Sequence, residues 1–572
     1  MKEFEMQESG QDRKLRAKVG VYICECGPNI AGKVDLDRII ADISELDDYQ
    51  DVELVVKKYG FLCSAPGKEY LEEEIKSNGF THLVIGACSP RDHDSTFMGV
   101  CKKTDLNPYL YRIINIREHC SWVIDDKEKA TVKAESYIRG GIARVLRQSE
   151  LFEKPLDINP DVLIIGGGVA GMEAALSLSS DDRRVYLVEK TDRLGGVSID
   201  LSGVLPGQGE VIGKKIESVL ENGNIRVFLN TRVENVIGFL GNFEIELVSE
   251  ENTEITEIMS GAIIVAAGGT LFDPHESDRY SYAGSDEVYT SLSIEKMFSG
   301  DDGAALQSGK QPSSVALIHC VGREEKNYCS GICCSYMMKL ACLFKKQSAD
   351  IQVTEFYRDI CLPKKNDQER FSEAQAAGVA LIRIKDISLK GTNVSFERIS
   401  GDKDEQSFDM VVLAPALGPS ADTEYFADLL TVPLDEFGFF QEVHKMTNPV
   451  GTATDGVFIV GTAHGPKGVS DSMQFARASA GQILTRLIPG EKLIPEVAVT
   501  EISEAYCTGC GNCLCVCVYG AIYSDDSRGI SVVNEAVCRG CGNCFGSCPS
   551  GALRTKHFTN TQLFREVDEA LR

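Results

Sequence analysis

Eight cysteines near the C-terminus fall into two runs of the same spacing. Cys507, Cys510, Cys513 and Cys517 read C-x2-C-x2-C-x3-C; Cys538, Cys541, Cys544 and Cys548 repeat the pattern, with Pro549 next. Thiolates at this spacing hold [4Fe–4S] clusters, and two runs imply two clusters. Zinc is the weaker alternative, because zinc ribbons lack the third cysteine of each run. The chemistry on offer is one-electron transfer. No Ser–His–Asp set or pair of carboxylates stands out to suggest hydrolysis.

The double run is the bacterial two-cluster ferredoxin pattern, in which the fourth cysteine of each run ligates the other cluster. One cluster then takes Cys507, Cys510, Cys513 and Cys548, and the other Cys538, Cys541, Cys544 and Cys517. Two departures are Val518, where proline is usual, and an extra Cys515, expected to be a small buried residue near the cluster.

A second chemical signature lies mid-chain. Residues 161–179, DVLIIGGGVAGMEAALSLS, run from an apolar stretch through a glycine turn into a helical pattern. Gly166, Gly168 and Gly171 fit G-x-G-x-x-G, with Ala170 inside it. They serve a tight turn, close approach to a pyrophosphate, and helix–strand packing. RVYLVEK follows and ends at Glu189 and Lys190, near the offset where an acid binds a ribose hydroxyl. RLGG, with Gly195 and Gly196, is typical of FAD-binding proteins similar to disulfide reductases. AIIVAAGG, with Ala267 and Gly268, resembles their second nucleotide-contacting turn. DGVFIVGTA, with Gly461, resembles their last flavin motif, although Thr462 stands where that family has aspartate. Four ordered motifs predict FAD.

Two further cysteine sets remain. SSVALIHCVG (313–322) is a strand and turn where a second dinucleotide lobe is due, at about 311–412, but it lacks G-x-G-x-x-G. The turn carries Cys320 instead, followed by Cys329, Cys333 and Cys334 as C-x8-C-x3-C-C, with a glycine available in SGIC. A third [4Fe–4S] cluster beside the flavin is expected, against a set of buried structural cysteines. In the N-terminal region Cys24, Cys26, Cys63, Cys88 and Cys120 fall just past strand ends. In a parallel sheet those ends share one edge, which makes a candidate fourth site: a cluster, a redox pair, or reduced thiols in tight turns. His93 and His119, beside those cysteines, read as structural hydrogen-bonding residues.

The elements that must position these residues follow from the pattern. The chain has 572 residues, 43% hydrophobic and 25% charged, enough for two to four domains. The expected class is α/β. Residues 1–150 form a small cysteine-bearing α/β domain, with strands at KVGVYIC, VELVVKKYG, THLVIGAC and YRIINI and a helix near 127–148. Residues 151–310 and 416–495 form the FAD-binding domain, 311–415 the second Rossmann-like lobe, and 496–572 the ferredoxin-like domain. The net charge of −26 argues against nucleic acid and anionic membranes. No charge-free apolar run of about 18 residues exists, so no membrane span is expected. The start, 1–16, is polar, reads as a disordered lead-in, and is not a signal peptide. Twenty-one cysteines in cluster-like groups point to a reducing compartment, hence a cytoplasmic protein of an anaerobic cell.

With these segments in order, the chain resembles the heterodisulfide reductase family, in its A-type subunits, from about residue 18 to 553. The pieces that carry the resemblance are CECGPNIAG, ACSPRDHD, NIREHCSW, ATVKA, GGGVAGMEAA, the C-x8-C-x3-C-C run, GPKGVSDSMQFARASA and the double cysteine run. The resemblance implies FAD in a thioredoxin-reductase-like fold. It implies a flavin that splits electron pairs between ferredoxin and a disulfide, and work inside a complex with iron–sulfur subunits of the B and C types. Ferredoxin or a hydrogenase or dehydrogenase module is a further implied partner, as is a dimer of the larger complex. The family's lysine near the flavin matches Lys467, with Gly468 in place of the usual acid. Many members carry another ferredoxin insertion after the RLGG-like stretch. Here 197–215 holds no cysteine, so the chain is a short form and its exit to ferredoxin is in question. A non-bifurcating electron relay and an NAD(P)H:ferredoxin-type flavin reductase are the alternatives; the missing second glycine motif argues against the latter.

Overall fold

The computed structural model describes residues 17–572 apart from 47–51, 201–207, 252, 281, 283–285, 299–302 and 366. The lead-in 1–16 and part of the cysteine-free stretch 197–215 lie outside the described residues. The chain divides into two units, Met1–Lys154 with Ile494–Cys517 and Ala521–Arg572, and Pro155–Leu493 with Val518–Gly520.

The first unit joins the N-terminal and C-terminal regions. Four parallel strands, Ala17–Cys24, Val52–Tyr59, His82–Ala87 and Tyr111–Asn115, form a sheet in which the first lies between the second and third. Apolar runs such as Val19–Val21–Ile23 and Val84–Ile85 are fully buried, as a sheet covered on both faces requires. Helix Lys127–Val145 starts on an Asp126 cap that accepts the Lys129 N–H. It covers one face and also packs against the last helix, Asn560–Leu571, which opens with a Thr559/Gln562 capping box. Gly140 permits that approach, since a Cβ there would stand 2.8 Å from the Glu566 carbonyl. Between them the Arg144 guanidinium pairs with Glu566 and donates to the His557 carbonyl at 3.1 Å. The C-terminal region itself is two short antiparallel pairs, Thr500–Ile502 with Leu553–Thr555 and Ile522–Asp525 with Ile530–Val533. Two short helices, Asn512–Cys515 and Asn543–Ser547, complete it.

The second unit holds two Rossmann-like lobes. In the first, parallel strands run in the order Val457–Ile459, Ala262–Val265, Val162–Ile165, Val185–Val188, Ile225–Phe228. Helix Val169–Leu178 packs on Val469–Arg486. Buried Glu173 on the former pairs with Lys215 and Arg477. The second lobe is a seven-stranded sheet ordered Val288–Thr290, Met410–Pro415, Ser314–Val321, Gln352–Tyr357, Ala380–Lys390, Asn393–Arg398, Lys403–Ser407. The lobes meet at the antiparallel pair Gly269–Leu271 and Leu417–Pro419. Among the described residues no helix is long and apolar enough to cross a membrane.

Candidate functional site

The glycine turn after Val162–Ile165 has the shape of a pyrophosphate cradle. Gly166 adopts φ 109°, and a Cβ there would meet the Ala266 carbonyl at 2.3 Å; at Gly171 it would meet the Gly166 carbonyl at 1.9 Å. At Gly168, which caps helix Val169–Leu178, a Cβ would touch nothing within 4 Å. The first and third glycines are thus demanded by packing, while the second faces open space, as an approaching phosphate needs. The buried Glu189 carboxylate accepts the Gly167 N–H at 2.8 Å and both the N–H and the hydroxyl of Thr191 at 2.9 Å. Gly195, at φ 110°, donates its N–H to the Gly167 carbonyl, and Gly196 lies against the Gly168 Cα. Ala267 and Gly268 follow the strand Ala262–Val265. Gly461, at φ 64°, approaches Ala170 so closely that a Cβ would lie 3.0 Å from the Ala170 Cβ. Thr462 is half-buried, with its hydroxyl near Gly269. These positions surround one turn, whereas exposed Lys190 pairs with Asp422 at 2.5 Å. The residues fit a flavin dinucleotide.

Lys467 lies between Gly461–Ala463 and helix Val469–Arg486. Its ammonium donates to Nδ1 of His464 and sits 4.5 Å from the centre of the Phe475 ring. Burial lowers it to about 8, with Glu442 and Asp471 working the other way. Burial, and then the Lys467 charge, lowers His464 to about 4, so that ring is a neutral acceptor.

None of the 21 cysteines is paired in a disulfide. In the C-terminal region a small cavity is lined by Cys507, Cys510, Cys513 and Cys548 together. Cys544, whose thiol is raised by burial, feels both Cys538 and Cys517. Cys541 is exposed beside them in the same turn. The fold thus brings together residues from both halves of each crossed set. Gly509 and Gly540, at φ 65° and 60°, turn the backbone between the first cysteines, where a Cβ would meet a carbonyl at 2.4 Å. Backbone N–H groups point at two sulfurs, Ser531 N–H at Cys507 (3.5 Å) and Ala521 N–H at Cys517 (3.3 Å), and the Cys513 thiol donates to the Ser531 hydroxyl (3.3 Å). Cys515 corrects an expectation. It is exposed, because a residue two positions beyond inward-facing Cys513 on a helical turn points about 200° away.

At the end of Ser314–Val321, Cys320 takes a left-handed φ of 63°, and Gly331 in SGIC a φ of 67°. Loop 328–331 is tied to the inter-lobe strand: the Tyr328 hydroxyl donates to the Leu417 carbonyl, and the Ser330 hydroxyl accepts the Leu417 N–H. Burial pushes the Cys333 thiol up to about 12, with Cys334, Cys320 and Cys329 adding to it, so the four stand together. Sequence reasoning missed three neighbours. Cys361 donates its N–H to the Cys334 sulfur at 3.4 Å. His319 and Glu355 form a fully buried pair 2.9 Å apart on adjacent strands. Burial alone would lower His319, but Cys334 and Glu355 override it and hold it up at about 10. The signal was in view, since each polar residue interrupts an apolar strand run.

On the N-terminal rim, Cys24 interacts with Cys26 and Cys63, and Cys88 with Cys63. Arg117 reaches the Cys26 sulfur at 3.8 Å and stacks over Trp122. Cys120 is set apart, fully buried in an apolar cluster with Ile23, Ile116 and Ile138. His93 meets Thr96 and Phe97, and His119 meets Tyr137 edge-on. Among the described residues no three His, Cys, Asp or Glu side chains converge tightly enough for a single ion. A cubane is larger, and each of its thiolates binds a different iron.

A family model described as pyridine nucleotide-disulphide oxidoreductase matches residues 160–481, and one described as 4Fe-4S binding domain matches 531–554. One of two A-type iron–sulfur subunits of CoB–CoM heterodisulfide reductase from Methanopyrus kandleri is 32% identical over 652 aligned positions, covering 97% of this chain and 99% of that protein. The A-type component of the H(2):CoB-CoM heterodisulfide,ferredoxin reductase of Methanothermobacter marburgensis is 32% identical, covering 99% of each. Alignments longer than this 572-residue chain mean that the relatives carry residues opposite gaps here. Among solved structures, Thermoplasma acidophilum thioredoxin reductase superposes with a TM-score of 0.41 at 17% identity, over 57% of this chain and 99% of that one. The chain belongs to the family of A-type heterodisulfide reductase subunits and is a flavin and iron–sulfur oxidoreductase with a pyridine nucleotide-disulphide oxidoreductase core.

Proposed function

We propose that the chain is the flavin hub of a heterodisulfide-reductase-like complex. FAD exchanges electron pairs, and clusters on the same chain carry single electrons away. The observation that carries this reading is the group Cys320, Cys329, Cys333 and Cys334 at the mouth of the second lobe. That is where a nicotinamide-binding glycine turn would otherwise stand. A third [4Fe–4S] cluster there lies next to the inter-lobe strand Leu417–Pro419, which pairs with the strand Gly269–Leu271 that follows Gly268, so the flavin discharges into a one-electron carrier.

The crossed sets Cys507, Cys510, Cys513, Cys548 and Cys538, Cys541, Cys544, Cys517 hold the two C-terminal clusters. Cys24, Cys26, Cys63 and Cys88 form a fourth redox port. Lys467 places a positive charge near the flavin and favours its anionic reduced form. Iron–sulfur subunits of the B and C types, and ferredoxin or a hydrogenase module, are the partners. The relatives' names, which join heterodisulfide and ferredoxin, support bifurcation as the finer reading. Without an inserted ferredoxin domain, a partner supplies the ferredoxin exit.

The test is iron and FAD per chain on anaerobically purified protein, with EPR of the reduced sample. About 12 iron per FAD is expected, or about 16 with the N-terminal site filled. About 8 would remove the third cluster and with it the hub. Rapid flavin bleaching by NADH alone would replace the hub with a nicotinamide-dependent reductase.

A further inference from the structure

The last flavin-like motif holds its cation in an unusual way. Among the described residues the Lys467 ammonium forms no ion pair; its hydrogen bond runs to Nδ1 of His464. Asp471, on the same stretch of chain, pairs instead with Lys364 at 2.7 Å. Glu442 stands at the other nitrogen of the imidazole, 3.5 Å from Nε2. That nitrogen is buried and has no hydrogen-bond partner of ordinary geometry, so Glu442 is the acceptor it meets. The Phe475 ring packs against both members of the bond: its centre lies 5.2 Å from that of the His464 ring and 4.5 Å from the ammonium. The His464 N–H donates to the Gly461 carbonyl at 3.3 Å, which ties the ring to the turn that approaches Ala170. An ammonium only donates, so Nδ1 is the unprotonated nitrogen, and a neutral ring then carries its proton on Nε2, toward Glu442. A carboxylate in place of the imidazole would hold the lysine as well but would cancel its charge. A neutral ring orients the ammonium and leaves the charge in force.

We propose that Glu442 fixes His464 in the Nε2–H tautomer, that Nδ1 of His464 holds the Lys467 ammonium beside the Gly461 turn, and that this pair thereby sets the flavin's reduction potential. Lysine carries its charge on a flexible four-carbon stem. An unheld head would turn to solvent, where its field is screened. Held against Phe475 in a site of low dielectric, it keeps its field, which stabilises the anionic reduced flavin more than the neutral oxidised one. His464 and Glu442 act through the lysine, so they are positioning residues. The inference rests on the reading above that Lys467 acts on the flavin.

The test is a dye-equilibrated redox titration of the full, FAD-bearing chain at one pH. The flavin is followed by its visible absorption and the clusters by EPR on the same samples. Lys467→Met should raise the oxidised-to-reduced flavin ratio at a fixed solution potential at least tenfold, which lowers the potential of a two-electron couple by about 30 mV. His464→Leu should raise the ratio about fivefold or more. His464→Gln, whose amide oxygen can take the same bond from the ammonium, should return most of the way to wild type. The double variant His464→Leu with Lys467→Met should go no further than Lys467→Met, because the two act as one unit. Glu442→Leu is a test of sign. Removing a negative charge by itself would raise the potential, whereas loss of the ring's anchor lowers it. A fall supports the proposal even where His464→Leu fails to retain FAD; a rise or no shift overturns it. Additive effects in the double variant, or an unmoved potential in His464→Leu with full FAD, also overturn it and leave the charge on Lys467 standing. An unmoved potential in Lys467→Met overturns that reading itself.

Discussion

Lys467 offers a direct test of whether the last flavin motif holds a tuned charge. Its ammonium is taken from water into a site walled by the Phe475 ring and neutral His464, and burial brings it from 10.5 to about 8. At about 1.36 kcal/mol per tenfold change in proton affinity, that is roughly 3 kcal/mol against the charged form. Residual solvent contact trims it to about 2–3 kcal/mol. The unprotonated fraction at pH 7 is then about one in ten, some 300-fold above that of an ordinary lysine. Competitive acetylation across pH, read by mass spectrometry, reports the midpoint of each lysine independently of its accessibility. Lys467 should titrate near 8 and lower still in Glu442→Gln, because Glu442 supports the charge. The linkage runs in one direction. The folded value is depressed, so the unfolded chain binds more protons between pH 8 and 10.5, and stability rises across that window. Lys467→Met should remove this rise and gain about 1–2 kcal/mol at pH 7, after loss of the ring contact. A Lys467 midpoint near 10.5 would refute the burial argument and leave the ammonium fully charged at pH 7.

The glycine turn separates cofactor contact from folding. Gly171→Ala, with a Cβ 1.9 Å from the Gly166 carbonyl, should yield unstable protein without flavin. Gly168→Ala, with open space around its Cβ, should keep its circular dichroism and melting temperature while FAD affinity falls at least tenfold by equilibrium dialysis. Equal loss of fold in both would show that the turn is merely structural. In the first unit, Glu566→Gln strips the partner from Arg144, a side chain only 6% exposed, and should cost about 3 kcal/mol in urea unfolding followed by Trp122 fluorescence. The double variant Arg144→Met with Glu566→Leu should recover most of that loss; no recovery would mean that packing, and not the buried charge, sets the cost.

What the sequence disclosed, and what it hid, divides along a physical line. Covalent spacing survives folding, so the cysteine runs and the turn around Gly166 could be read before any tertiary structure was known. The crossed grouping of Cys548 with Cys507, and of Cys517 with Cys538, was reachable because a repeated run returns to the same place. Cys515 was misjudged because composition says cysteines are buried, whereas a one-turn helix has an outside. Cys361 was invisible for a different reason. It is 27 positions beyond Cys334, and only the parallel pairing of Ser314–Val321 with Gln352–Tyr357 carries the following loop back over the same rim. The union of the N-terminal and C-terminal regions was equally hidden, since it depends on Gly140 and Arg144 of one helix meeting Glu566 of another. His319 and Glu355 fall between these cases. Each breaks an apolar strand, which flags a buried polar group, but the pairing needs the register that sets Leu317 opposite Glu355. Sequence alone therefore names the candidate metal-binding thiols, and tertiary register selects the groups that lie beside them. Relatives that share every cysteine can still differ in potential, and the difference should be sought at the buried neighbours of the sulfurs, not in the cysteine pattern.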